Sequence, residues 1–143
     1  MKLGISEILS LASSQKIKAE KIRILRENDS IQLRFLLQCA FSNAITWTLP
    51  EGAPPYKPSP ELDSQGMFYQ EARRLYLFIE GDGIQKAPEG LTEKRKEYLF
   101  VQLLETLDSN DAATLIAIKD RNMSDKYPGI TEKLIKEALP GTL

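Results

Sequence analysis

Residues 47–60, Trp47-Thr48-Leu49-Pro50-Glu51-Gly52-Ala53-Pro54-Pro55-Tyr56-Lys57-Pro58-Ser59-Pro60, admit neither a helix nor a central strand, so the rest of the chain must fold around them. Five of the eight prolines fall here. Proline fixes φ and removes an amide donor, and each residue before one is driven toward extended geometry, here Leu49, Ala53, Pro54, Lys57 and Ser59. The stretch reads as a semi-rigid, polyproline-like strap. Ala44-Ile45-Thr46-Trp47-Thr48-Leu49 alternates apolar and polar residues with β-branched content, so the extended segment spans 44–62. It carries the single tryptophan.

Amphipathic patterns lie on both sides. Ile5, Ile8, Leu9 and Ala12 repeat at helical spacing, and Lys16 to Glu27 makes a second helix that Asn28-Asp29-Ser30 interrupts. Ile31 to Ser42, with Leu33, Phe35, Leu36, Leu37, Cys39, Ala40 and Phe41, is apolar over most of its circumference and reads as the central N-terminal helix. Beyond the strap, Asp63-Ser64-Gln65-Gly66 leads into Met67 to Glu80, where Phe68, Ala72, Leu75 and Ile79 predict one helix. Gly81-Asp82-Gly83 ends it with a left-handed cap, and a loop runs over 81–90. Thr92 caps Glu93 to Leu107, Asp111 to Arg121 follows, and Thr131 caps Glu132 to Leu139 before Pro140-Gly141.

The expectation is one all-α domain over 1–143, an irregular bundle of six to seven helices. Its core would be 33–41, 68–79 and 99–107, with the strap crossing its surface. Helix, polar break and apolar helix recur at Glu20 to Cys39 and at Glu97 to Ile118. Two HEAT-like helical hairpins are therefore an alternative arrangement.

Composition narrows the chemistry. The chain has no histidine and one cysteine, which removes the commonest general base and metal ligand, histidine-based nucleophilic sites, and any internal disulfide. No acidic motif has calcium-loop spacing, and Glu80, Asp82 and Glu89 read as a solvated loop. Gly81-Asp82-Gly83 lacks the strand before it and the lysine after it that a phosphate loop needs. Cys39 lies within an apolar pattern as an unreactive core thiol. No catalytic residue, metal site or cofactor is expected. With 19 basic and 20 acidic residues the net charge of −1 gives no global pull toward polyanions. The opening segment lacks a secretory apolar run, and no later run approaches the roughly 18 residues of a membrane span, so a soluble, unexported chain without a membrane partner is expected.

Two stretches remain as binding candidates. In the strap, Trp47, Pro54, Pro55, Tyr56 and Lys57 have the composition that proline-recognising grooves take up. The competing role, which we favour, is that Trp47, Leu49, Pro55 and Tyr56 close the domain's own core while the strap walls an interaction surface. In the second stretch, Lys16, Lys18, Lys21, Arg23 and Arg26 oppose a single Glu20 and could neutralise phosphates. They form no tight stripe, however, and no aromatic residue interleaves to stack bases.

The run Phe68-Tyr69-Gln70-Glu71-Ala72-Arg73-Arg74-Leu75-Tyr76-Leu77-Phe78-Ile79-Glu80-Gly81, together with Asp111 to Lys119, Tyr127-Pro128-Gly129-Ile130-Thr131 and Ala138-Leu139-Pro140-Gly141, resembles a family of small uncharacterised proteins of tailed bacteriophages, including cyanophages. The opening Gly4-Ile5-Ser6-Glu7-Ile8-Leu9 and Glu20-Lys21-Ile22 resemble it too. The resemblance implies a phage-encoded protein made in the host cytoplasm and carries no active site over. The expected function is non-enzymatic: an accessory factor that binds a host or phage protein. The alternatives are a nucleic-acid-binding accessory protein using 16–26, or a virion structural or assembly component.

Overall fold

The computed structural model describes residues 2–59 and 66–143; Pro60, the strap's end at 61–62 and the lead-in at 63–65 lie outside them. The described residues form an irregular helical bundle. Its elements are α1 (Ile5–Ser14), α2 (Lys18–Glu27), α3 (Ile31–Phe41), β1 (Thr46–Trp47), α4 (Met67–Glu71), a 3₁₀ helix (Ala72–Leu77), β2 (Ile79–Glu80), α5 (Glu93–Thr106), α6 (Ser109–Lys119), α7 (Met123–Lys126) and α8 (Glu132–Ala138). Polar side chains start the helices where the sequence supplies them: Ser30, Thr92, Asp108 and Thr131 each accept the amide of the residue three further on.

One continuous core joins the two halves. It includes Leu33, Leu36 and Leu37 of α3, Phe68, Leu75 and Phe78 after the strap, and Phe100 and Leu104 of α5. Phe78 meets Phe100 edge to face with ring centroids 5.2 Å apart, in the favourable quadrupole geometry. Helices α1 and α2 pack as neighbours in sequence, but the two hairpins expected over 20–39 and 97–118 are not the main packing pairs. The main partners of α2 are α1 and α8, and α3 lies chiefly on α6.

The expected single helix over Met67 to Glu80 is divided. After one α-helical turn the backbone tightens into the 3₁₀ helix and then extends as β2, antiparallel to β1, pairing Thr46 with Glu80 and Trp47 with Ile79. Tertiary packing explains the change. At three residues per turn Ala72, Leu75 and Phe78 all reach the core, and the straightened end offers its amides and carbonyls to the extended segment before the strap.

Gly81 is correspondingly no left-handed cap; Gly83 is the glycine there at positive φ, +79°. Gly81 is instead a place of close backbone approach, where an added Cβ would stand 2.5 Å from the Ala44 carbonyl oxygen. Gly81→Ala should therefore separate the two strands and cost about 1–3 kcal/mol in a urea melt. Gly83→Ala, at an uncrowded position, pays only for its backbone conformation.

Candidate functional site

The strap is held to the helical body largely through its own backbone. At its entry the Trp47 indole Nε1 donates to the Cys39 carbonyl at 3.0 Å, and Thr48 donates its amide and its hydroxyl to the Phe78 carbonyl. Lys96 Nζ donates to Thr48 Oγ1. At the turn, Lys119 Nζ donates to the carbonyls of Pro50 and Gly52 at 2.8 and 3.1 Å and pairs with Asp120, whose carboxylate accepts the Gly52 amide. Gly52 has φ +97°, a left-handed conformation that only glycine adopts cheaply. Further on, the Lys57 amide donates to Glu105, and Ser59 bridges to Asp108.

A chain rich in proline has few amides to offer. The body therefore supplies lysine to the strap's free carbonyls and carboxylates to its remaining N–H groups.

The five strap candidates separate accordingly. Trp47 and Tyr56 are half-buried and packed against the core. Pro54 is half-buried, and Pro55 and Lys57 are exposed. Pro54 and Pro55 flank a groove of about 460 Å³ whose other wall is α5, with Glu97, Tyr98 and Val101 facing the strap over a floor that includes Phe100. Tyr98 is 51% exposed. Its ring lies under the Arg95 guanidinium, 5.1 Å from the centroid, and its hydroxyl accepts from Gln102. No pattern in the sequence singled out Tyr98. On a helix read by its apolar face, an exposed tyrosine carries no periodic signal.

The basic stretch is mostly spent inside the molecule. Lys18 pairs with Glu137 at 2.7 Å, and Arg23 with Glu20 and Glu27. Lys21 turns inward to the carbonyls of Ala12, Ser13 and Gln15 at the end of α1. Arg26 reaches the carbonyls of Glu137 and Ala138 at the end of α8. Lys16 is exposed ahead of α2. The last carbonyls of a helix lack intrahelical donors and sit at the negative end of its dipole, so cations brought from elsewhere in the chain suit them. Arg121 does the same for α3, donating to the carbonyls of Cys39, Ser42 and Ile45, while its own left-handed backbone, φ 60°, closes the end of α6 with its amide on Ile118 and that of Asn122 on Ala117.

Reactive chemistry is sparse. Burial pushes the Cys39 thiol up to about 12, far from the thiolate a nucleophile requires. Among the described residues no group of three or more cysteine, aspartate and glutamate side chains converges as a metal site. None of their helices is long and apolar enough to cross a membrane. No curated protein and no solved structure matches the chain. A model described as a family of unknown function (DUF6433) matches residues 8–125.

Proposed function

We propose, from the premise that the chain belongs to the family of unknown function DUF6433, that it acts by binding a protein and not by catalysis. In this reading it is an accessory factor of a tailed bacteriophage working in the host cytoplasm on a host or phage component. The observation that carries the binding role is the fastening of the strap. Its described backbone is tied at Thr48, at the turn of Pro50 and Gly52 and at Lys57, so Pro54, Pro55 and Tyr98 stand as walls of a groove that needs little ordering when a partner enters.

The groove selects its occupant. Its walls are mainly apolar, Lys119 is already saturated, and the remaining charged lining residues are Lys94, Glu51 and Glu97, of mixed sign. An extended, uncharged segment with a proline or flat apolar side chain fits between the Pro54-Pro55 pair and the Tyr98 ring.

Capture from infected host lysate with a tagged full-length chain, run beside Tyr98→Ser and Pro55→Ala, tests this reading. The expected result is a partner recovered by the wild type and depleted by about tenfold with either variant, both of which alter surface positions and should melt close to wild type. Equal recovery by the variants would remove the groove from the interaction. Steeply salt-dependent retention on heparin, lost in Lys16→Glu/Lys18→Glu, would replace the protein partner with nucleic acid.

A further inference from the structure

A second groove, of about 660 Å³, shares no lining residue with the one beside the strap. One wall is the first turn of α3, with Ile31, Gln32 and Phe35. The second is the α4 and 3₁₀ segment, with Tyr69, Gln70, Arg73 and Tyr76, and the third is the loop at 83–85. The 3₁₀ winding makes this surface. At three residues per turn Arg73 and Tyr76 stack in one line along the groove while Ala72 and Leu75 face the core; in an α-helix that line would be skewed by about 60°. Six residues is long for such a helix.

The groove is lined mainly by apolar groups of the described residues, and Ile31 is 84% exposed, more than any other large apolar side chain among them. Among the described lining residues Arg73 is the only charged side chain and no carboxylate occurs. The start of α3 adds the positive end of a helix dipole on the same side.

We infer that this groove is a docking surface for a protein segment carrying a large apolar side chain next to an acidic one. The apolar side chain covers Ile31 and lies against Phe35 and Ile84, the carboxylate pairs with the fork of Arg73, and the amides of Gln32, Gln70 and Gln85 serve the segment's backbone. Tyrosine, arginine and apolar residues around a desolvated centre are the composition in which binding energy concentrates. A nucleic acid strand fits less well. Exposed Glu80 and Asp82 border the loop wall and would repel a continuous phosphate chain more than a segment with one carboxylate.

Selection of a yeast-displayed random peptide library on the full-length chain tests this directly. Enriched peptides are expected to place Asp or Glu within a residue or two of Leu, Ile, Phe or Trp. A labelled peptide from that set should bind about tenfold more weakly to Arg73→Glu and to Ile31→Asp, both altered at exposed positions, and equally well to Tyr98→Ser. Replacing the peptide's acidic residue with Lys should restore its binding to Arg73→Glu, a rescue that a merely unfolded variant would not show. Failure to enrich any peptide, enrichment without an acidic residue, or affinity indifferent to Arg73→Glu would overturn the assignment. So would displacement of the peptide by a labelled oligothymidylate that itself depends on Arg73.

Discussion

Lys119→Met should lower the melting temperature by roughly 10 °C, the equivalent of about 3 kcal/mol for a chain of this length. The lysine side chain is 2% exposed, and its ammonium serves two strap carbonyls and one carboxylate. Methionine fills the same volume but leaves the Pro50 and Gly52 carbonyls without their donor and Asp120, itself 9% exposed, without its countercharge. The damage should be local first: Trp47 lines the hollow beside Lys119 and Asp120, so its emission should shift to the red as the strap loosens. Adding Asp120→Asn should recover part of the loss, because the orphaned charge goes while the side-chain oxygen can still accept the Gly52 amide. A melting temperature within about 3 °C of wild type for Lys119→Met would mean that the lysine does not hold the strap.

The other large effect is a dependence on pH centred on Asp111. The residue is 2% exposed. Burial pushes its carboxyl up from the ordinary 3.8 to about 6; hydrogen bonding by the Ser6 side chain and by its amide, donating at 3.2 Å, opposes that shift, and neighbouring Asp108 adds to it. A value raised in the folded state means that the fold holds this proton more tightly than the unfolded chain does. The stabilisation is fully present below about pH 4 and is lost as pH rises through about 6, and the span corresponds to about 3 kcal/mol. Asp29, held below its usual range by Arg34, and Glu137, held down by Lys18, act oppositely and lose their contribution as pH falls; both pairs are partly or well exposed and contribute little.

Urea denaturation of the wild type should therefore show stability falling between pH 4 and 7. Asp111→Asn, which keeps an oxygen for the Ser6 amide, should flatten that fall and be the more stable protein at pH 7. A wild-type curve that rises over this range, or an Asp111→Asn protein that tracks it in parallel, would contradict the assignment.

The helical plan was legible because its signals are local. Apolar spacing marks α1, α3 and α5, and Ser30, Thr92 and Thr131 cap the helices they precede, as their chemistry suggests. The proline run, too, declares an extended segment without reference to anything distant.

What could not be read depends on partners far away in sequence. The segment 67–80 carries apolar residues at 68, 72, 75 and 79, which suit an α-helix, and at 72, 75 and 78, which suit a 3₁₀ turn. Only the demand of β1 for a backbone partner decides between them. The basic stretch hid its role for the same reason. Lys21 and Arg26 bond to main-chain carbonyls, and a carbonyl has no letter in the sequence. In the candidate sites, the strap prolines were visible, whereas Tyr98 and Arg73 gain their meaning from the surfaces opposite them.

The contacts of α2 and α3 with the segment 137–142 also fix when this part of the molecule can close during synthesis. Lys18 and Arg26 of α2 reach Glu137 and Ala138, Arg34 reaches Pro140, and Gln38 reaches the Thr142 carbonyl. A ribosome that has made everything up to α7 has therefore delivered α3 together with its partner α6, but α2 with only α1 of its two main partners. The face of α2 that meets α8 has no partner until residues 132–142 emerge, so the docking of α2 and α8 is a late step of an otherwise earlier assembly.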